Sequence, residues 1–413
     1  MKEEMLFLYP PFDFLLNILG FVFFLIDVVL DICTVVDFYQ KQEFVSMGVL
    51  IFLLLGSSTL LQVFSWLWYS YSTEQERSNL SQAIYLEKYF KNRRVLKALH
   101  VCQVGVFLRF IGVMEISLRN LASHSALREG IAVYLTHDLS LLRLIETFTE
   151  SVPQLALMIA VIAIKGNLEW MTGLKTLGSF VTIAFSVVTY HRSMRNFTQR
   201  KSQLTWPSSV VYFLWNLFLI APRVAVVGLV GSTLPEVMAA HFIGLWIALF
   251  VWAWLQKTDF MEDKVWEWLY RATVALIWYF SWFNVSKGRS KGRSVLYHSI
   301  MAVDMALLLV LWWWWEGSQD AQIFGVPVMV GFASVAALYC SGILGKLLYY
   351  RLCHPRKLSD DEDEEKAPAC YVYDEVDLPM PPVQTHLLVV LPKPLPLTAA
   401  QKRMQKMAGH FFS

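Results

Sequence analysis

About ten apolar stretches, each near the length of a membrane-spanning helix, follow one another through most of the chain. A helix needs roughly 20 apolar residues to cross the hydrocarbon core of a bilayer. Lipid offers no hydrogen-bond partners to the backbone, so helix is the state that such segments can adopt there. The sequence therefore predicts an all-α polytopic membrane protein. The segments are residues 12–36, 44–70, 95–118, 131–163, 170–190, 207–232, 236–256, 265–285, 295–316 and 321–350.

The composition agrees with this class. Of the 413 residues, 56% are hydrophobic and 16% are charged, whereas soluble domains carry about 45–50% apolar and about 25% charged residues. The net charge of +2 does not indicate nucleic-acid binding. The sequence contains no HExxH, Walker, GxSxG or CxxC motif, and we therefore expect no enzyme activity, no metal and no cofactor.

Lysine and arginine in the loops predict the topology, because such residues favour the cytosolic side. Loops 71–94 and 119–130 are both basic, so segment 95–118 should enter and leave by the same face. Segment 265–285 is flanked by basic loops in the same way. The prediction is therefore eight transmembrane helices plus two re-entrant helices, in two pseudo-symmetric halves of five segments, with both termini cytosolic. The first segment lacks the pattern of a signal peptide and should be retained.

The chain divides into three parts on this interpretation. We expect one membrane repeat over 1–205 and a second over 206–350. Such repeats, with broken or partial helices at equivalent positions, are common in proteins that move something through a membrane. Residues 351–413 hold an acidic run and many prolines but no spanning segment, which predicts a cytosolic and mostly disordered regulatory tail.

Three aspartates in the first segment lie on one side of a helix. At 100° per residue, Asp13 and Asp31 fall at the same angle, and Asp27 lies about 40° away. At about 1.5 Å per residue, the distance from Asp13 to Asp31 is about 27 Å, close to the hydrocarbon thickness. One helix should therefore carry an acidic stripe from leaflet to leaflet.

Further charges lie in the third and fourth segments. Arg143, Glu146 and Glu150 follow an i, i+3, i+7 spacing on one helix face. An acidic group at the bilayer centre costs roughly 2.5–3.5 kcal/mol on insertion scales, so such residues usually mark a pathway or a buried pair. One interpretation pairs the acids with Arg109 and Arg143 as ion pairs between helices. The other makes them, with Asp138, a polar track for a charged or zwitterionic lipid headgroup; acids outnumber bases, which favours the track.

Four stretches closely resemble the XK-related family, and the resemblance covers the chain from about residue 12 to residue 355. They are LSLLRLIETFTESVPQLAL (139–157), SSVVYFLWNLFLIAPRV (208–224), LQKTDFMEDKVWEWLYRATVA (255–275) and YFSWFNVSKGRSKGRS (279–294). The resemblance implies eight spans plus two re-entrant helices and a hydrophilic stripe along which phospholipid headgroups move. It places these residues on the family's charged positions: Asp13, Asp27, Asp31, Arg109, Asp138, Arg143, Glu146 and Glu150.

The chain departs from the family at one of these positions. Relatives place an acid before the Tyr-His-Arg triplet, and this chain has Thr189 before Tyr190, His191 and Arg192. Arg192 belongs to the expected lipid path, but the departure implies that it could lack its usual partner.

The tail contains a four-residue sequence, here called the string, that an executioner caspase recognises well. It is Asp374-Glu375-Val376-Asp377, followed by Leu378. The resemblance is closest to a branch of the family whose plasma-membrane scramblases expose phosphatidylserine in apoptosis after caspase cleavage of the tail. That branch travels with a single-span immunoglobulin-domain partner, basigin or neuroplastin. Downstream of the string, residues 397–412 have the pattern of a short amphipathic helix that docks on the cytosolic face.

Two other functions stay open on the sequence. A secondary transporter or channel would use the same intramembrane charges and the same repeats. A structural subunit of a membrane complex is the third interpretation, because one member of the family is known mainly as a complex component.

Overall fold

The computed structural model of the chain describes residues 4–5, 9–89, 92–122, 125–166, 170–197, 206–286, 290–316, 322–323, 326–353, 395–396 and 399–411. Helices make up nearly all of this part. Their bounds are α1 Pro11–Gln40, α2 Phe44–Tyr71, α3 Glu74–Ala83, α4 Tyr85–Tyr89, α5 Arg93–Val101, α6 Gly105–Ala122, α7 Ala126–Glu146, α8 Val152–Lys165, α9 Trp170–Arg195, α10 Trp206–Thr233, α11 Pro235–Leu255, α12 Lys264–Trp278, α13 Ser290–Glu316, α14 Val328–Leu348 and α15 Ala399–Phe411.

Short strands complete the described part of the chain. β1, Glu4–Met5, pairs antiparallel with β4, Leu395–Pro396, so the two ends of the chain meet. β2, Gln322–Ile323, pairs with β3, Val326–Pro327, between α13 and α14.

Seven helices among the described residues are long and apolar enough to cross a membrane, or eight if the bent pair α5 and α6 counts as one span. α7 and α8 form one of the seven, because a π-helical turn joins them into a continuous helix of 39 residues. α9, with 26 residues, is also long enough to cross the hydrocarbon core, and it carries three basic side chains. The all-α polytopic class is confirmed. The number of crossings and the pseudo-symmetry of the two halves stay predictions.

The two segments expected to be re-entrant are both broken or short. α5 and α6 meet at an angle of 116°. Gln103 in the bend has a φ of 64°, and a Cβ on Gly105 would lie 2.4 Å from the ring of His100. The bend thus needs glycine at this position. α12 has 15 residues, or about 22 Å, and is too short to cross the hydrocarbon core alone.

α10 lies at the centre of the bundle and packs most extensively against α8 and α14. A Cβ on Gly228 would lie only 2.7 Å from the backbone oxygen of Ala156 on α8. Small residues at such contacts let helix backbones approach closely, which is a common way of packing helices in membranes.

The outer helices present apolar side chains to the surroundings. In the most apolar windows of α1, α2 and α11, only 17% of the residues are buried. Trp314 and Trp315 at the end of α13 are 79% and 64% exposed. This distribution fits a protein whose outer surface contacts lipid and whose aromatic side chains lie near the membrane–water interface.

Candidate functional site

The structure brings the predicted stripe residues together inside the first half of the bundle. They project from α1, α6, α7, the π-helical turn and α9, and all are buried except Asp27, which is half-buried. This set, together with the partners described below, is here called the polar track.

At one end of the polar track, Asp13 of α1 pairs with Arg192 of α9. Arg192 Nη2 lies 3.0 Å from Asp13 Oδ1, and its Nη1 donates to Ser209 Oγ at 2.9 Å. The Asn196 side chain also donates to Asp13, at 3.2 Å. The usual partner of Arg192 is absent, since Thr189 stands at that position, and an aspartate on a neighbouring helix pairs with Arg192 instead. Thr189 instead donates to the backbone oxygen of Phe185.

At the other end, Asp31 of α1 meets a lysine that the sequence interpretation missed. Lys175 Nζ lies 3.3 Å from Asp31 Oδ1 and 2.5 Å from Thr34 Oγ1. The Gln154 side chain of α8 donates to the same aspartate oxygen at 2.5 Å. Lys175 lies in the apolar segment 170–190, and an intramembrane charge was the signal that could have found it.

Arg109 and Asp138 form a buried pair between α6 and α7. Their charged atoms lie 2.8 Å apart, and both side chains are only 2% exposed. Arg109 also donates to the hydroxyl of Ser65 at 2.8 Å and to its backbone oxygen at 2.9 Å, and its guanidinium lies over the ring of Tyr69. A buried pair with its donors satisfied in this way fixes the contact between α2, α6 and α7.

The middle of the polar track surrounds the π-helical turn Thr147–Ser151. Val152 donates its backbone N–H to Thr147, five residues back, just before Pro153, whose nitrogen carries no hydrogen. Such turns occur frequently at functional sites. Arg143 pairs with Glu146 at 2.6 Å immediately before the turn, and Glu150 lies within it.

Two acids of the polar track form no ion pair within 4 Å in the part of the chain that the structure describes. They are Asp27, which accepts a hydrogen bond from Ser151 at 3.3 Å, and Glu150. Glu150 interacts electrostatically with Asp27, Asp31 and Glu146. Four carboxylates thus form one cluster, and two cations, those of Arg143 and Lys175, lie beside it. The cluster has a formal excess of negative charge.

The carboxylate cluster does not have the arrangement of a metal centre. Among the described residues, no group of three His, Cys, Asp or Glu side chains is placed to hold a metal ion.

A cavity opens beside the polar track, between α1, α6, α7 and α9. Asn17, Ser140, Arg143 and Thr189 give it polar walls, and Phe110 is among its apolar ones. It lies along the row of charges between the Asp13 end and the carboxylate cluster. Chemically, this arrangement offers a cation and several polar groups to a headgroup, next to an apolar surface.

A second polar network lies outside the predicted site, in the other half of the molecule. Arg223 of α10 pairs with Asp304 of α13, and His241 Nε2 of α11 lies 2.8 Å from the other oxygen of that aspartate. Arg223 also donates to the backbone oxygen of Tyr279 at 3.2 Å. Sequence reasoning missed this network, although charged residues in apolar segments were again the available signal.

The amphipathic helix expected in the tail is present as α15 and lies against the bundle. Met404 and Met407 are 2% and 8% exposed, and Ala408 is fully buried. All three belong to the main hydrophobic core. The opposite side of the helix carries exposed residues, among them Lys402 and Gly409.

Polar contacts fix α15 at the end of the bundle where α2 and α12 also have an end. Lys406 lies 2.5 Å from Asp259, and Arg403 lies 3.6 Å from Glu262. The Asn284 side chain donates to the backbone oxygen of His410 at 2.6 Å. The surface covered by α15 is here called the tail face.

The tail face belongs to both halves of the bundle. Arg403 lies over the rings of Tyr71 and Phe260, which come from opposite halves, and Gln401 donates to the backbone oxygen of Gly130. α15 also packs against α9. The string Asp374 to Asp377, with Leu378, lies outside the described residues.

Several named proteins are similar in sequence to this chain. A family model described as XK-related protein matches residues 15–355. The chain is 39% identical over 356 residues to XK-related protein 8 of Tetraodon nigroviridis, which covers 86% of both chains. It is 40% identical over 351 residues to that of Gasterosteus aculeatus, 84% of this chain and 85% of the relative. It is 34% identical over 345 residues to XK-related protein 8 of Pan troglodytes, which covers 83% of this chain and 84% of the relative.

Proposed function

The chain belongs to the XK-related protein family, and we propose that it is a phospholipid scramblase that exposes phosphatidylserine at the cell surface during apoptosis. The observation that carries this proposal is the polar track, whose row of charged side chains runs beside a cavity through the first half of the bundle. Headgroups would move along the track while the acyl chains stay in the lipid outside. No cofactor takes part, and the protein is not an enzyme.

The electrostatics of the track suit a phospholipid headgroup. Its carboxylate cluster holds more acids than cations, so an ammonium group can pair with it, and Arg143 in the cavity wall can receive a phosphate. Pairing a moving charge with fixed charges lowers the cost of bringing it into a region of low dielectric constant. A track with both signs therefore fits a zwitterionic or serine headgroup better than a simple cation.

The test is reconstitution with fluorescent phospholipids in liposomes, before and after caspase treatment. Asp27→Asn and Glu150→Gln remove the two acids without an ion pair, so neither substitution orphans a cation. Both should slow scrambling by about tenfold or more, whereas Asp37→Asn, an exposed position on α1, should leave it unchanged. If the track variants are delivered and scramble normally, the acids are only structural. Ion or solute flux without lipid movement would favour a transporter or channel.

We propose that an executioner caspase switches the protein on by cutting after Asp377. The cut would separate residues 378–413, and with them α15, from the membrane part. Docking of α15 across the tail face supports a role as a plug that holds the closed state. A tethered plug has a high effective concentration and blocks without strong intrinsic affinity. Leu378 is bulky for the position after the cut and should slow cleavage.

The caspase switch is tested by Asp377→Ala in cells driven into apoptosis. Phosphatidylserine exposure through this protein should disappear, while a chain ending at Asp377 should expose the lipid without the protease. A tail fragment and full exposure from the Asp377→Ala chain would place the switch elsewhere. A truncated chain that is silent at the surface would contradict the plug.

We further propose that the protein resides in the plasma membrane with both termini cytosolic and travels with a basigin- or neuroplastin-like partner. Pairing of β1 with β4 supports one side for both ends of the chain. Single cysteines at Arg119 and Ser290, in a background without native cysteines, should label only from the cytosol. Labelling from outside intact cells would contradict the topology. Depleting the partner should retain the protein inside the cell; normal surface delivery would contradict its role.

A further inference from the structure

A second cavity lies in the other half of the molecule between α10, the segment after α12, α13 and α14. Leu219 and Met301 belong to its apolar wall. Trp215, Trp282 and Arg223 form a wall that is aromatic and cationic. We call it the α10–α14 cavity, to distinguish it from the cavity beside the polar track.

Three N–H groups of this wall lack an acceptor in the described part of the chain. They are Trp215 Nε1, Trp282 Nε1 and Arg223 Nη2, and all three are buried. The other two nitrogens of Arg223 are satisfied by Tyr279 and Asp304. Indole and guanidinium nitrogens donate but do not accept. Because a buried donor without an acceptor is unfavourable, the wall is complementary to a ligand rich in acceptor oxygens.

A basic side chain behind the wall, rather than in its lining, selects the kind of acceptor. Lys346 of α14 lies 5.3 Å from the ring centroids of both Trp215 and Trp282. Its Nζ lies 2.8 Å from Ser294 Oγ and 2.8 Å from His298 Nε2, and no carboxylate of the described residues lies within 4 Å. Arg223, by contrast, is balanced by Asp304. Among the described residues, the neighbourhood therefore has a basic side chain without a carboxylate partner, with which an anionic oxygen group could pair.

The position of the cavity favours a lipid as the source of that group. Trp282, His298 and Tyr339 in its wall are only half-buried, so the cavity reaches the surface of the bundle. On α14, Leu344 and Leu347 flank Lys346 in sequence and are 57% and 56% exposed. A phosphate with attached acyl chains would place its oxygens among the donors and its chains along this apolar surface.

We propose that the α10–α14 cavity binds the phosphodiester group of one membrane phospholipid through Trp215, Trp282, Arg223 and Lys346. This lipid is held rather than moved, because its site lies in the other half of the molecule from the polar track. The site does not depend on the scramblase function, and it would exist in a transporter of the same fold. The phosphodiester supplies one negative charge and several acceptor oxygens, which matches the wall.

The test is native mass spectrometry of the full chain in detergent, after the bound lipids have been washed out. The chain is titrated with phosphatidylserine and, in a matched titration, with a diacylglycerol that has the same acyl chains but no phosphate. Phosphatidylserine should bind to one saturable site and the diacylglycerol should not. Trp215→Phe with Trp282→Phe keeps an aromatic ring at each position and removes both N–H groups, and it should lower the affinity at least tenfold. Lys346→Met should also lower it.

Trp314→Phe, at an exposed tryptophan of α13 outside the cavity, is the control and should bind as the wild type does. If the double variant does not fold, Trp282→Phe alone, at a half-buried position, gives the readout. Equal affinities of wild type and folded tryptophan variants would overturn the proposal, as would equal binding of the diacylglycerol. Displacement of the lipid by inorganic phosphate would show that a soluble anion, rather than a lipid, is the ligand.

Discussion

The two buried methionines of α15 allow the plug to be weakened without cutting the chain. Met404 and Met407 are 2% and 8% exposed, and both lie against the tail face. Full burial of such a side chain contributes about 1.5–3 kcal/mol. Because alanine retains part of this burial, replacing both methionines by alanine should cost about 3–4 kcal/mol of docking free energy. Alanine favours helix, so the helix itself should persist.

The loss converts into a large shift between the docked and released states. With 1.4 kcal/mol for each factor of ten, the ratio of docked to released α15 should fall by about 10²–10³. The tether stays intact, so the effective concentration of the helix does not change. If docking of α15 is what stabilises the closed state, the double variant should scramble lipids without caspase. The docking free energy that is lost sets how far the equilibrium shifts away from the closed state.

The assay is the rate of lipid scrambling in liposomes that contain the full chain and no protease. Lys402→Ala, on the exposed side of the same helix, is the matched control and should stay silent until it is cleaved. After cleavage, the methionine variant should scramble as the cleaved wild type does, which shows that the membrane part is folded. A variant that is silent before cleavage and active after it would refute the reasoning.

Two further predictions concern stability. Lys175→Met leaves Asp31 buried without its cation and should cost about 3–5 kcal/mol of stability, measured as a lower melting temperature of the purified protein. Adding Asp31→Asn should recover most of this loss. Equal melting temperatures of the wild type and the single variant would contradict a stabilising ion pair. Gly228→Ala should destabilise the protein, because the added Cβ would lie 2.7 Å from the backbone oxygen of Ala156. Gly244→Ala has open space around the added Cβ and should stabilise the protein by about 0.5–1 kcal/mol. The same change in stability for both variants would contradict the close approach of the two helices at Gly228.

The helical class and the acidic stripe could be read from the sequence because both depend on local spacing. Apolar length predicts a helix in lipid, and the 100° rotation places Asp13, Asp27 and Asp31 on one side. The bend between α5 and α6 was also accessible, since two basic loops flank it. Each of these features depends on neighbours in sequence.

The ion-pair partners of these charged side chains could not be predicted from the sequence in the same way. Lys175 pairs with Asp31 across 144 positions of sequence, and Arg192 pairs with Asp13 across 179. Both pairs depend on which helix lies beside α1, and loop charges do not determine that. Of the pairs between these acids and Arg109 or Arg143, only that of Arg143 with Glu146 is present among the described residues. Arg109 pairs with Asp138 instead, and two further cations come from α9.

The network around Arg223 was missed for a different reason. Three charged residues interrupt apolar segments in this half, as the track residues do in the other: Arg223, Asp304 and Lys346. A charged residue within an apolar segment was thus a sufficient signal to predict a buried polar site. The resemblance directed attention to the first half instead. The orphaned indole N–H groups of Trp215 and Trp282, however, depend on packing and had no signal in the sequence.

The ion pairs of the polar track also suggest how the tail could act on it. Asp13 and Asp31, near the two ends of α1, both pair with cations of α9, so a displacement of α9 from α1 would loosen the track at both ends. The pair of Arg143 with Glu146 lies within one helix and would survive such a displacement. α15 packs against α9 and bonds to α7 near its start. We therefore expect release of α15 to act through the contact between α1 and α9: while these pairs are closed, the charges at the two ends of the track are occupied, and once α9 moves, they become available to headgroups.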